Sequence, residues 1–448
     1  MMDRVGGESA GQVESIRKVA LASFIGTTIE WYDYFLFGTA AALVFNQLFF
    51  PNVDPLIGTL AAFATFAVGF VARPLGGAIF GHYGDRIGRK AMLVLTLLIM
   101  GIATFLIGLL PTYETIGIWA PILLVVLRLL QGFGVGGEWG GAVLMAVEHS
   151  PGGRRGFYGS WPQMGVPAGL LLSTGVFTIF SSLPNEQFLA WGWRVPFLLS
   201  ILLVAVGLYI RLAILETPAF RQVQETQTEA RMPIMDVLRT NLKGVLLVIG
   251  MRIAENGSFF IFSVFVLSYA TEQLGLARSL VLAGVMIAAT IQLFAVPVWG
   301  ALSDKIGRRP VYLFGAAFTL LFAFPSFWLI NTQATILVWL AIVLALAVGH
   351  AAMYGPQAAF LPELFGTRVR YSGIAFSREL ASVVAGALSP FIATALLAWA
   401  GSYWPVAVYL AAMALITIVA VYLAPETFQS DITEERPEER QLIAQRQE

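Results

Sequence analysis

Gly81-His82-Tyr83-Gly84-Asp85-Arg86-Ile87-Gly88-Arg89-Lys90 returns later in the chain as Gly300-Ala301-Leu302-Ser303-Asp304-Lys305-Ile306-Gly307-Arg308-Arg309. The two copies match in identity or charge at one constant offset. Each is a short polar, basic turn that follows an apolar run long enough to cross a bilayer as a helix. Working outward from them, twelve such runs lie near 19–46, 56–83, 92–111, 117–147, 157–182, 194–215, 244–270, 278–302, 311–331, 334–361, 371–399 and 404–423. The first copy follows the second run and the other follows the eighth, so one turn occupies the same place in two halves of six runs. That is the pattern of an internal duplication.

Composition agrees. Of 448 residues, 58% are hydrophobic and 12% charged, and mean hydropathy is +0.77; a soluble domain carries about twice that share of charge. A closed β-barrel would show alternating segments of about ten residues, and none is visible. The expectation is an all-α, multi-pass membrane protein with twelve transmembrane helices in two pseudo-symmetric six-helix bundles. Its divisions are a tail at 1–18, a bundle at 19–216, a linker at 217–242, a bundle at 243–424 and a tail at 425–448. Arg194 and Arg278 are the only basic residues in the loops of one side; the tails, the other loops and the span ends beside them hold the rest, apart from Arg73, Arg128, Arg252 and Arg378 within spans. The positive-inside rule then makes both termini cytoplasmic and the membrane a cell inner membrane. Residues 1–16 are polar and the first apolar run is too long for a cleaved leader.

Net charge is zero and there is no cysteine, which leaves no argument for nucleic acid and excludes thiol chemistry and cysteine metal sites. Three scattered histidines, His82, His149 and His350, make no metal cluster. No metal, cofactor or enzymatic nucleophile is expected. A monomer in the lipid bilayer is.

Ionisable residues inside a bilayer are costly and therefore functional candidates. Glu30 and Asp33 share one face of span one, and Arg128 lies at a compatible depth on span four. An Asp33–Arg128 pair could exchange partners when the carboxylate takes a proton, with Glu30 as a second proton candidate. Arg73 on span two, Arg378 on span eleven and Arg252 on span seven are candidates for a carboxylate ligand. Arg252 can also pair locally with Glu255. Glu379, next to Arg378 on a helix, is not its obvious partner. Glu138 can serve a gate or the substrate. Tyr32, Tyr34, Gln131, Trp139, Trp161, Gln163, Tyr354 and Gln357 are polar-tipped residues able to hydrogen-bond a solute, and a lipid-facing amide at Gln131 or Gln163 would be costly. The glycines of span four suit close helix packing. The repeated turns suggest a cytoplasmic latch made of Gly81, Asp85, Arg86, Gly88 and Arg89 with Asp304, Lys305, Arg308 and Glu363, in which cations meet helix C-termini.

The repeated G-x-x-x-D-[RK]-x-G-R-[RK] turn, with twelve spans and a central linker, resembles the major facilitator superfamily. Finer features resemble its metabolite–proton symporter family, which includes shikimate, α-ketoglutarate and proline/betaine transporters. They are Glu30-Trp31-Tyr32-Asp33-Tyr34, Phe70-Val71-Ala72-Arg73-Pro74-Leu75-Gly76, Gln131-Gly132-Phe133-Gly134-Val135-Gly136-Gly137-Glu138-Trp139, Trp191-Gly192-Trp193-Arg194-Val195-Pro196-Phe197 and Pro362-Glu363-Leu364-Phe365. The resemblance implies uptake of a small organic acid or zwitterionic metabolite by rocking of the two halves, with the proton as coupling ion. It also implies that spans one, four, five and ten line the cavity. The alternatives left open are a proton-independent facilitator or exchanger of organic anions and, further off, a drug–proton antiporter.

Overall fold

The computed structural model describes residues 2–87, 89–136, 153–213, 241–365 and 370–430, together with 139, 143, 146, 147 and 150; the side chains of 2–20, 22, 78, 81–93, 210–213, 370–372 and 375 are outside it. The described residues are helices joined by short turns, and no strand occurs among them. In lipid only a helix satisfies its own backbone within one segment. Among the described residues nine helices are long and apolar enough to cross a membrane and two more, Val94–Leu109 and Trp119–Val135, are shorter apolar ones; with the first helix they follow the twelve apolar runs. The first half comprises α1 (Met2–Leu43), α2 (Pro55–Ile87), α3 (Arg89–Leu109), α4 (Trp119–Val135), α5 (Arg155–Ser181) and α6 (Asn185–Tyr209). The second comprises α7 (Leu242–Gln273), α8 (Arg278–Ile306), α9 (Arg308–Asn331), α10 (Thr335–Glu363), α11 (Phe376–Ala400, extended inward to Arg370) and α12 (Trp404–Leu423). Nearly all of the linker expected at 217–242 lies outside the described residues.

Helix α6 starts nine residues before the apolar run that marks it. Pro184 precedes it and Glu186 sits in the first turn, where a carboxylate complements the helix dipole. A π turn at Phe188–Gly192 then buries Phe188, while Trp193 packs on Phe45, Phe49 and Phe197. Further π turns interrupt α7 at Ile261–Phe265 and Tyr269–Gln273, α10 at Leu344–His350 and α11 at Ser382–Ala387. Such turns concentrate at functional sites because they re-aim the side chains beside them. Two of these four adjoin the charged residues described below.

Small residues set how closely the helices cross. A Cβ at Gly132 would overlap the Gly69 carbonyl oxygen, and one at Gly136 the Arg73 carbonyl oxygen, so α2 and α4 touch backbone to backbone. This contact holds Arg73 and Arg128 in one layer. Between the halves, α5 packs along α8, and a Cβ on Gly300 would lie 2.6 Å from the Gly156 carbonyl oxygen. Gly132→Val is expected to destabilise the protein by about 1–3 kcal/mol or more, since overpacking here meets backbone. Thermal melting in detergent checks this, with Gly175→Ala, whose Cβ would meet only Met286 at 3.8 Å, expected to melt like wild type.

Candidate functional site

The middle of the bundles holds four buried arginines and four buried carboxylates among the described residues: Arg73, Arg128, Arg252 and Arg378, with Glu30, Asp33, Glu255 and Glu379. In the first half, Tyr34 organises the layer. The guanidinium carbons of Arg128 and Arg73 lie 4.0 and 4.2 Å from its ring centroid. Arg128 also covers Phe37 at 4.3 Å and Phe66 at 4.9 Å, and Arg73 covers Phe70 at 4.6 Å. Cation–π contact is how a desolvated guanidinium is held without a carboxylate.

Arg128 donates to the Gln131 side-chain oxygen and, at 3.4 Å, to the Phe66 carbonyl. Gln131 in turn donates to Thr104 at 2.8 Å and to the Asp33 backbone carbonyl at 3.4 Å. Asp33 is 1% exposed, and neither carboxyl oxygen makes a well-formed hydrogen bond, although the Thr104 hydroxyl lies alongside. Arg128 and Asp33 are therefore joined through Gln131 and the backbone, not by a direct ion pair. An acid without an arginine partner and a cation held by aromatic rings stand in the same layer.

The second half contains a saturated network. Arg252 meets Glu255 at 3.4 Å, Gln357 at 2.6 Å and Ser382 at 3.5 Å. Gln357 donates to Glu255 at 3.1 Å and to the Tyr312 hydroxyl at 3.2 Å. His350 lies 3.2 Å from Glu255 through Nε2 and 2.5 Å from the Gln292 amide nitrogen through Nδ1. One ring nitrogen donates and the other accepts, the arrangement of a neutral imidazole.

Three contacts cross between the halves in this layer. Arg73 Nη1 lies 3.8 Å from Glu379 Oε2; Glu379 Oε1 meets its neighbour Arg378 at 2.5 Å. Arg378 covers the Trp139 ring at 4.2 Å. Trp139 donates to Gln163 at 3.0 Å, which donates to the Tyr354 carbonyl at 3.2 Å. Glu30 lies in electrostatic range of Arg73 and Tyr354.

Both ends of the site are closed. Toward the outside, Phe260 of α7 packs on Phe66 at 5.7 Å and Phe70 at 5.4 Å, and Phe259 on Phe35 at 5.4 Å. Beyond them Asn46 and Thr59 both donate to Glu272, at 3.1 and 3.4 Å. Toward the cytoplasm, Asp304 accepts from the Gly156 and Phe157 amides at 2.8 and 2.9 Å. The N-cap residue of α5, Arg154, offers no side-chain cap, so an acid from the opposite half caps that helix. Arg308 binds Asp304 at 2.7 Å and Glu363 at 3.3 Å, and Arg155 reaches Glu363 at 3.8 Å across the halves. Gly307 has φ of 104°, a conformation that requires the glycine of the repeated turn. Asp304→Asn keeps one acceptor but loses the charge. At about 1.5–3 kcal/mol for a hydrogen bond to a charged group, it is expected to open the cytoplasmic end. A single cysteine placed at Ser160 reads this out, since the chain has none of its own: maleimide labelling from the inside should rise in the variant.

The structure thus brings Arg73, Arg378, Tyr34, Trp139, Gln163 and Tyr354 to the interface, and places Arg252 and Gln357 in the adjoining network. Tyr32 instead donates to the Pro196 carbonyl of α6 at 2.7 Å. Trp161 packs on Phe157 at 6.1 Å, and Lys305 is exposed. Glu138 and Gly88, and the side chains of Asp85, Arg86 and Arg89 with the site of Gly81, lie outside the described residues. Arg378 and Glu379 pair although they are neighbours in sequence, because two long side chains on α11 curl toward the same interface. Glu379, Glu255 and the aromatic shell of Trp31, Phe66 and Phe70 were not among the substrate candidates. The intramembrane charge of the two glutamates was the available signal.

Apolar helices arranged in two halves, with a buried charged layer between them and contacts joining the halves at both ends of that layer among the described residues, are the architecture of a membrane transporter. The chain belongs to the major facilitator superfamily, whose model matches residues 23–381. It is 46% identical to the shikimate transporter of Escherichia coli K12 over 92% of this chain and 95% of that one. It is 39% identical to the proline/betaine transporter of the same organism, over 92% and 84%. Among solved structures, a proton:xylose symporter superposes with a TM-score of 0.73 at 18% identity, covering 94% of this chain and 98% of that one, which speaks to the fold.

Proposed function

We propose that this transporter takes up a small monocarboxylate together with a proton, the carboxylate bound between Arg73 and Arg378 and the proton carried by Asp33. The observation that carries this reading is the charge balance of the buried layer. Glu255 and Glu379 each pair with an arginine and Glu30 lies in electrostatic range of Arg73, whereas Asp33 has no arginine partner and only the Thr104 hydroxyl alongside. A desolvated carboxyl without a cationic partner is most stable neutral. With Asp33 neutral, an arriving monoanion brings the negative charge that Asp33 no longer supplies to the arginines of this layer. Proton and anion then load as a neutral pair, which lowers the cost of occluding them in the membrane.

The same geometry favours an acid over a quaternary ammonium zwitterion. The quaternary ammonium group of a ligand such as betaine is bound by open aromatic faces. Here the rings of Tyr34, Phe70 and Trp139 are already covered by Arg73 and Arg378. A cyclic hydroxy-acid such as shikimate, transported by one relative, also has hydroxyls to offer Gln163 and Tyr34, whose hydroxyl lies beside Arg73. The test is uptake of labelled shikimate, α-ketoglutarate, short monocarboxylates, proline and betaine into proteoliposomes with and without an inward proton gradient. A monocarboxylate should accumulate with the gradient. Accumulation of betaine alone, or equilibration that ignores the gradient, would defeat the proposal.

A further inference from the structure

We infer that Glu379 is an internal substitute for the substrate carboxylate, which occupies the arginine pair whenever the carrier is empty. The inference rests on the reading that the substrate's carboxylate binds between Arg73 and Arg378. Glu379 sits on α11 of the second half and divides its two oxygens between the halves. Oε1 binds Arg378 at 2.5 Å, and Oε2 lies 3.8 Å from Arg73 of α2. That second contact neutralises charge without making a hydrogen bond. Arg73 makes no well-formed hydrogen bond, although the Tyr34 hydroxyl lies alongside it, and Arg378 Nε and Glu379 Oε2 are without a hydrogen-bond partner. These groups are buried: Arg73 is 1% exposed, Arg378 3% and Glu379 5%.

A guanidinium has five donors, and a free carboxylate can satisfy two of them in parallel. A glutamate tethered to the opposite half, with its other oxygen committed to Arg378, cannot. Glu379 is therefore an adequate counter-ion and a poor ligand, and a substrate carboxylate that reaches Arg73 in bidentate geometry displaces it. This division of labour has a consequence for the transport cycle. The empty carrier must close and return, and in closing it brings Arg73 and Arg378 toward each other away from water. With Glu379 between them the empty form can occlude. Without it, only the loaded form has an anion at that place, so the return step becomes dependent on substrate and the protein becomes an exchanger.

The experiment compares Glu379→Gln with wild type in proteoliposomes, using labelled shikimate or whichever carboxylate the uptake panel identifies. Net uptake into empty vesicles is measured beside exchange into vesicles preloaded with the same compound. The ratio of net uptake to exchange should fall at least about tenfold, since an uncompensated charge in the membrane costs more than that factor. An unchanged ratio, whether both rates survive or both fall together, overturns the inference. Should the glutamine variant fail to yield folded protein, Glu379→Asp withdraws the carboxylate by one methylene and is read in the same way: a lowered ratio supports the inference, an unchanged one overturns it. Failure of the underlying reading is separate, because it appears in wild type as absence of carboxylate transport.

Discussion

Asp33→Asn is expected to abolish gradient-driven accumulation while exchange of substrate across the membrane persists. On the proposed reading, one proton with one monoanion makes each unit of pH difference correspond to about 1.4 kcal/mol, or roughly tenfold accumulation. Asparagine has nearly the shape of the neutral acid and suits the same donor-poor pocket, in which neither Asp33 oxygen makes a well-formed hydrogen bond. It can neither release a proton nor form the ion pair with Arg128 that release would permit. The variant should thus bring internal substrate only to the external concentration, and its exchange rate should lose its dependence on pH. The measurement is the steady-state accumulation ratio at imposed pH differences, with exchange followed in the same vesicles. Accumulation in the variant equal to wild type would remove Asp33 from the proton path and leave Glu30 as the acid to examine.

Arg73→Lys is expected to raise the KM for a carboxylate substrate by roughly ten- to a hundredfold, the equivalent of about 1.5–3 kcal/mol for hydrogen bonds to a charged group. Charge is conserved in this substitution; geometry is not. Lysine has no planar fork for a bidentate carboxylate and no flat face to lie against aromatic rings. The guanidinium of Arg73 is 4.2 Å from the Tyr34 centroid, 4.6 Å from Phe70 and 5.6 Å from Trp31, which fixes its plane. Initial rates against concentration, at constant proton gradient, separate the outcomes. A raised KM with maximal rate largely kept places Arg73 on the substrate. An unchanged KM would mean that Arg73 only braces the aromatic layer, and would move the carboxylate site away from α2.

The legible part of this protein was the part that lipid dictates. A hydrocarbon layer tolerates neither unpaired backbone nor stray charge. Hence helix number, the duplication around Asp85 and Asp304, and the inventory of intramembrane arginines and acids could be read along the chain. Even a boundary such as that of α6 slipped only where a polar first turn, Asn185-Glu186-Gln187, stood outside the apolar run. The partners of those charges could not be read. Arg128 reaches Gln131 while Asp33 stands apart, Tyr32 turns to Pro196, Arg378 meets its own neighbour, and Arg73 finds Glu379 from the other half. Each outcome depends on how far a helix is rotated about its axis and how near the next one comes. Gly69 against Gly132, Gly156 against Gly300 and the π turns in α10 and α11 decide both. The sequence by itself determined which charges are held in the membrane, because their cost is local to each span; only the tertiary structure decided which of them meet, because rotation and spacing are properties of helices packed together.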